Sequence, residues 1–294
     1  MGNLIKAELR KTLTTKSWWG LLIPAVVFSF GFAFGWGNVV NEFGDYLGSS
    51  DARTLTSILG LDPDALPVGL LAMAHGINIG TIFPMIFGVF ALAGEYGKKT
   101  ISTTFLTAPN RGAALTAKMV TYIGWGVLYG VVNVLFASLG TVLTVDGARM
   151  PDTGQFIGVL GAGVLATTLA TLFGIGVGAM WRSVTGSVIT LMIYMLIVEN
   201  ILIIVAYASL DLDWLGGVLP NGAANGIVGA IGAEAFGAAG VTLPGLDAQL
   251  QWSLQFAAGA PGAFSWWASA LIFGGWTLAF FGTGWFVNQR RDIT

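Results

Sequence analysis

The sequence predicts an all-α polytopic membrane protein with six transmembrane helices, and three observations carry that prediction. The chain is 55% apolar but only 10% charged, against about 25% charged for an ordinary soluble domain. Six stretches hold the roughly 20 mostly apolar residues that a hydrocarbon core of about 30 Å asks of a crossing helix. These runs are continuously apolar and do not alternate, which points to helices and away from a barrel.

Charge placement sets the expected orientation. The chain has 13 Lys and Arg residues, and all but two fall into four short clusters separated by apolar runs. Lys6, Arg10, Lys11 and Lys16 precede the first run; Lys98, Lys99, Arg111 and Lys118 lie between the second and third; Arg182 lies between the fourth and fifth; Arg290 and Arg291 follow the last. The remaining loops hold Arg53 and Arg149 together with Glu42, Asp45, Asp51, Asp62, Asp64, Asp146, Asp152, Asp211, Asp213, Glu234 and Asp247. Because cytoplasmic loops carry the basic excess, both termini are expected in the cytosol, with an even number of crossings.

Taken in order, residues 2–17 are expected to form an amphipathic helix on the cytosolic surface. Ile5, Leu9 and Leu13 recur every four residues, and the flanking cations Lys6, Arg10, Lys11 and Lys16 can meet anionic headgroups. Trp18 and Trp19 then mark the water boundary. The six spans are placed at Trp18–Val40, Val68–Gly94, Met119–Val145, Gln155–Met180, Thr185–Ala206 and Trp266–Val287. Pro24 and Pro84 are expected to bend the first two. An acidic outer segment, 41–67, has room for a short helix around Arg53–Leu59. The segment 208–265 is too polar at Glu234 and too broken to cross, so it reads as outer helices that dip into or lie on the interface. A seventh crossing there would put Arg290 and Arg291 outside, against the charge rule. Of the 43 glycines, those at 158, 161, 163, 174, 176 and 178 suit close helix packing in lipid. No repeat or low-complexity linker divides the chain, so residues 1–294 are expected to form one membrane domain. The first span shows no small-residue cleavage site, so it is expected to stay attached.

Several chemistries lack their residues. There is no cysteine, hence no disulfide or thiolate site, and only one histidine, His75. Neither Gly-x-Ser-x-Gly nor His-Glu-x-x-His occurs. A phosphate-cradling Gly-x-x-x-x-Gly-Lys-Ser/Thr loop is also absent; the nearest string, Gly94 to Thr100, has the wrong spacing and follows a membrane helix. The chain is therefore expected not to be an enzyme, and its energy must come from a partner or a gradient. No feature suggests a nucleic-acid partner.

The cytosolic loop 95–118 carries the most information. It leaves the membrane at Glu95, runs through an amphipathic stretch from Thr100 to Leu106, turns at Pro109 and Asn110, and returns after Lys118. Solvated positive-inside charge accounts for its lysines. It does not account for Ile101, Phe105 and Leu106 facing the cytosol, where a partner would cover them.

Here the chain resembles the permease subunits of type 2 ABC transporters, the mostly exporting class with six spans per subunit. In that family a glutamate ends span two, a Gly-Thr pair opens the cytosolic coupling segment, and a Pro-x-x-Arg turn with a following lysine leads into span three. The matching positions are Glu95, Thr100, Pro109, Asn110, Arg111 and Lys118, with Lys99 where the family has glycine. The amphipathic start and the long outer segment fit the family's connecting helix and outer re-entrant helices. The resemblance covers the whole chain in topology and about 25 residues in motif.

The resemblance implies a multi-pass subunit of the bacterial cytoplasmic membrane that moves an amphipathic or hydrophobic cargo such as a lipid, drug or peptide. It implies a separate P-loop ATPase that binds the ATP and Mg, with no cofactor in this chain, and a second permease copy or similar permease beside it. Glu95, Thr100, Phe105, Leu106, Pro109 and Arg111 are then the ATPase-coupling residues. The polar groups placed within spans, His75, Asn133 and Glu199, are candidates for the translocation path; for Glu199, a hydrogen bond to a neighbouring helix is the competing reading. An alternative from another class is a non-catalytic membrane scaffold or assembly subunit of a larger complex.

Overall fold

A computed structural model describes residues 1–52, 54, 56, 57, 62–239 and 247–290, the side chains of 247 and 287–290 excepted. The short helix expected around Arg53–Leu59 lies mostly outside these residues, as do the side chains of Arg290 and Arg291. Among the described residues the chain is all-helical, without strands. Five helices are long and apolar enough to cross a membrane: Ser17–Gly48, Gly69–Phe90, Arg111–Val142, Thr153–Trp181 and Val184–Leu210.

The order begins with α1 (Gly2–Thr14) and α2 (Ser17–Gly48). The second span is two helices, α3 (Gly69–Gly80) and α4 (Ile82–Phe90), joined at Thr81. Pro84 explains the interruption, since it offers no N–H to the carbonyl of Gly80 and its ring crowds that carbonyl. Pro24, by contrast, lies inside an unbroken α2. Two short helices follow, α5 (Ala93–Gly97) and α6 (Ile101–Thr107), and then α7 (Arg111–Val142) and α8 (Thr153–Trp181). The fifth span comprises α9 (Val184–Ile193), a π turn (Tyr194–Val198) and α10 (Glu199–Leu210). Beyond it come α11 (Leu215–Val218), α12 (Pro220–Ala238), α13 (Asp247–Ala257) and α14 (Trp266–Arg290).

Side-chain capping fixes several starts. Asp152 and Gln155 form a reciprocal capping box that opens α8. Asn110 and Ser183 accept N–H bonds from Ala113 and Gly186 at the starts of α7 and α9. Left-handed Arg182 and Asp211 end α8 and α10.

α8 is the centre, packed against α4, α7, α12 and α14. Its sequence is apolar all round, which suits a helix surrounded by others. Because lipid tails are as apolar as the core, close packing rather than water exclusion must hold such a bundle together. Gly88 on α4 and Gly174 on α8 permit it: a Cβ at either position would collide with a backbone carbonyl, of Thr171 and Met85 respectively. Of the other expected packing glycines, Gly163, Gly176 and Gly178 are similarly enclosed, whereas Gly158 and Gly161 have nothing nearby and are exposed.

Burial divides the spans. In Gly69–Phe90, 72% of the most apolar window is buried, against 22% in both Ser17–Gly48 and Val184–Leu210. The last of these has the highest mean hydropathy, 2.5, so its apolar surface lies mostly outside the chain's own core.

α12, from the segment read as outer helices that dip into or lie on the interface, is 19 residues long and largely buried against α3, α8 and α14. Its run of glycine and alanine lowers hydropathy yet lets neighbouring helices come close. The sixth expected span falls on α14, a 25-residue helix packed on α8 and α12, which is not among the five candidate spans found in the described residues.

Candidate functional site

The loop 95–118 is more ordered than a solvated turn, and the structure changes its expected layout. α5 turns back after Gly97. Lys99 then takes a left-handed φ of 56°, a conformation that glycine reaches without a Cβ penalty. The Thr100 N–H closes the turn on the Glu95 carbonyl at 3.0 Å.

Ile101 is not exposed: it is buried with Phe87, Leu115, Tyr122 and Trp125 in a cluster at this end of the bundle. Phe105 is half-buried against the same cluster, with the Arg111 guanidinium 5.6 Å from its ring centre. Only Leu106 stands free, at 85% exposure. The difference arises because the chain is already helical at Ile101, which sets residues 101 and 105 on one face and 106 on the other. Pro109 and Asn110 are exposed at the turn into α7.

Lys118 also lies elsewhere than expected. α7 begins at Arg111, so Lys118 sits two turns inside it at 1% exposure. Its ammonium donates to Glu95 Oε1 at 2.5 Å and to Glu8 Oε2 at 2.9 Å. Lys11 contacts Glu95 as well and lies 3.8 Å from Glu8. Two lysines and two glutamates thus form one cluster, in which Glu95, 3% exposed, pairs through Oε1 and leaves Oε2 buried without a partner among the described residues. Burial and the neighbouring Lys118 charge push Lys11 down to about 8, against the opposing pull of Glu8.

α1 is fastened to the bundle beside this set. Trp125 Nε1 donates to Thr12 Oγ1 at 2.8 Å, and the Tyr129 hydroxyl holds the start of α2 next to it by donating to the carbonyl of Trp18. Tyr96, the residue after Glu95, lies 5.1 Å under the Arg182 guanidinium, which ties the turn between the fourth and fifth spans to α5. Burial pushes the Tyr96 hydroxyl up, partly offset by Arg182 and Arg111. Sequence reasoning overlooked Glu8, Lys11, Tyr96 and Arg182 as members of this site. One signal was present: Glu8 is the only acidic residue before Glu42, inside an otherwise basic helix.

The three polar groups expected along a path are separate. His75 stacks on Trp36, with ring centres 4.0 Å apart, and its Nε2 bonds the carbonyl of Ala257 at 2.8 Å. Asn133 Nδ2 donates to the carbonyl of Ile77 at 3.0 Å. Glu199, fully buried, accepts from the backbone N–H groups of Asn221 at 3.0 Å and Gly222 at 2.6 Å. A carboxylate there satisfies orphan donors at the start of α12 and complements its dipole. Among the described residues none of the three bonds another, and each joins its own pair of helices. For Glu199 this is the helix-to-helix reading.

On the opposite side of the chain, Arg149 is buried between Asp45 and Asp64, at 2.7 and 3.0 Å, and also donates to the carbonyl of Asn41 at 2.9 Å. Of the two basic residues among the acidic loops, Arg149 is therefore an internal counter-ion for them; Arg53 lies outside the described residues.

Comparison with known proteins finds no matching family model and no matching curated sequence.

Proposed function

We propose that this chain is the membrane-spanning subunit of an ATP-driven exporter of the type 2 ABC class. It moves an amphipathic or hydrophobic cargo across a bacterial cytoplasmic membrane, in company with a P-loop ATPase and a second permease. In this reading α14 is the sixth crossing, both termini are cytosolic, α1 lies at the inner interface, and α12 with α13 forms the outer re-entrant element.

The observation that carries the reading is the segment from Glu95 to Lys118. A lever needs a rigid root and a free tip. Glu95 and Lys118 fix the root, Lys99 supplies the tight turn, and α6 presents Leu106 to solvent with Arg111 beside Phe105. An apolar side chain as exposed as Leu106 is one that a partner would cover.

The test is copurification. The full chain is coexpressed with any P-loop ATPase encoded beside its gene, and the amount of ATPase retained is measured for wild type, Leu106→Asp and Thr103→Asp, the last being an exposed α6 control. Loss of ATPase with Leu106→Asp alone, in protein that elutes as wild type does, supports the coupling role. Full retention by Leu106→Asp removes α6 as the docking element, and a chain with no copurifying ATPase returns the assembly-subunit reading.

A further inference from the structure

A cavity of about 400 Å³ opens between α1, the start of α2, α5 and α7. Four lysines line it, Lys11, Lys16, Lys98 and Lys118, against two carboxylates, Glu8 and Glu95. Lys118 and Lys11 pair with both carboxylates, in Glu95 through Oε1 alone, while its buried Oε2 has no partner among the described residues. Lys16 and Lys98 are exposed and have no carboxylate partner among the described residues. Ser17 also lines the cavity and is the first residue of α2, a 32-residue helix that starts without a side-chain cap. Its first-turn N–H groups have no intrahelical acceptor, and its dipole favours an anion. One part of the wall is apolar, with Phe90, Ala91 and Val184, and the remainder includes Thr12, Thr15, Thr100 and Tyr122.

We propose that this cavity binds the phosphate headgroup of an anionic phospholipid, held by Lys16, Lys98 and the start of α2, with its glycerol end against the apolar wall. A soluble phosphate would satisfy the cationic rim alone. The apolar wall, and the position of the cavity where α1 meets the ends of the spans, favour a lipid. Because Lys11 belongs to both the cavity and the Glu95 cluster, a bound anion would stabilise α1 against α5 and α7. This inference is independent of the ABC reading and concerns binding by the chain alone.

The experiment is native mass spectrometry of the full-length protein released from detergent, titrated with phosphatidylglycerol or with phosphatidylcholine. Two doubly neutralised variants are compared: Lys16→Gln/Lys98→Gln in the cavity, and Lys6→Gln/Arg10→Gln on α1 outside it. Diffuse surface attraction is weakened equally in both, so their difference reports the cavity. The expected result is one tightly held phosphatidylglycerol per chain, favoured over phosphatidylcholine, with affinity reduced at least about tenfold by the cavity pair and within about twofold of wild type for the α1 pair. Equal losses in the two variants, or equal retention of both lipids, overturn the site. A third arm adds millimolar inorganic phosphate: displacement of the lipid at that concentration assigns the cavity to a soluble phosphate and overturns the lipid proposal.

Discussion

Lys118 and Glu95 meet at 2.5 Å, both almost fully buried, across 23 positions of sequence. Removing one member of a buried pair strands the other charge, at a cost of about 3–5 kcal/mol. Lys118→Met should therefore lower the midpoint of thermal aggregation in detergent markedly, and the double variant Glu95→Gln/Lys118→Met should recover much of that loss. A Lys118→Met protein that melts as wild type does would show that Lys11 alone suffices for Glu95.

Lys11 gives a pH signature. Its folded value near 8 lies below the ordinary lysine value of 10.5. Between those values the unfolded chain binds more protons than the folded one, so this lysine's contribution to stability rises with pH. Below pH 8 it is charged in both states and its unfavourable contribution is fully present. Melting curves from pH 7 to 10 should show wild type gaining on Lys11→Met as the pH increases. A constant difference across that range would contradict the assignment.

The absence of cysteine permits clean topology mapping. Single cysteines at Asp51 and Asp146 should react with an impermeant maleimide from outside intact cells, while those at Ser102 and Ser183 should react only after permeabilisation. All four positions are at least partly exposed in the subunit. Labelling of position 102 from outside would invert the orientation.

Glu199 can be tested through its two N–H donors. Gln retains one acceptor oxygen, whereas Leu retains none and leaves Asn221 and Gly222 unsatisfied at about 1–3 kcal/mol for each group. Stability should fall in the order wild type, Glu199→Gln, Glu199→Leu, with cargo transport by assembled Glu199→Gln close to wild type. Stable but transport-dead Glu199→Gln would return Glu199 to the path.

Where the sequence is read as a line, it captures what repeats along a line. Hydropathy placed five spans to within about a turn at most ends, the break near Pro84 followed from its missing N–H, and the basic spacing picked out the segment at Glu95. Packing partners are another matter. Lys118 looks like one more loop cation until α7 is seen to start at Arg111, which carries it into the bundle. Ile101 and Leu106 are both apolar, and only helix phase separates a buried contact from a free tip. α12 escaped because smallness, not hydropathy, buries it; Gly222, Ala223, Gly226 and Ala230 are all enclosed. Glu199 could be given a depth but not a partner, since Asn221 and Gly222 come from a helix whose path was not legible.

The bond from Lys118 to Glu8 spans 110 positions, and that separation bears on biosynthesis. At about 5–20 residues per second, roughly 5–20 s pass between the synthesis of α1 and that of its lysine partner. During that interval Glu8 stays hydrated at the membrane surface, and Thr12 waits for the Trp125 indole. The amino-terminal helix therefore docks only after the third span has been made, so the first element synthesised is among the later ones fixed in place.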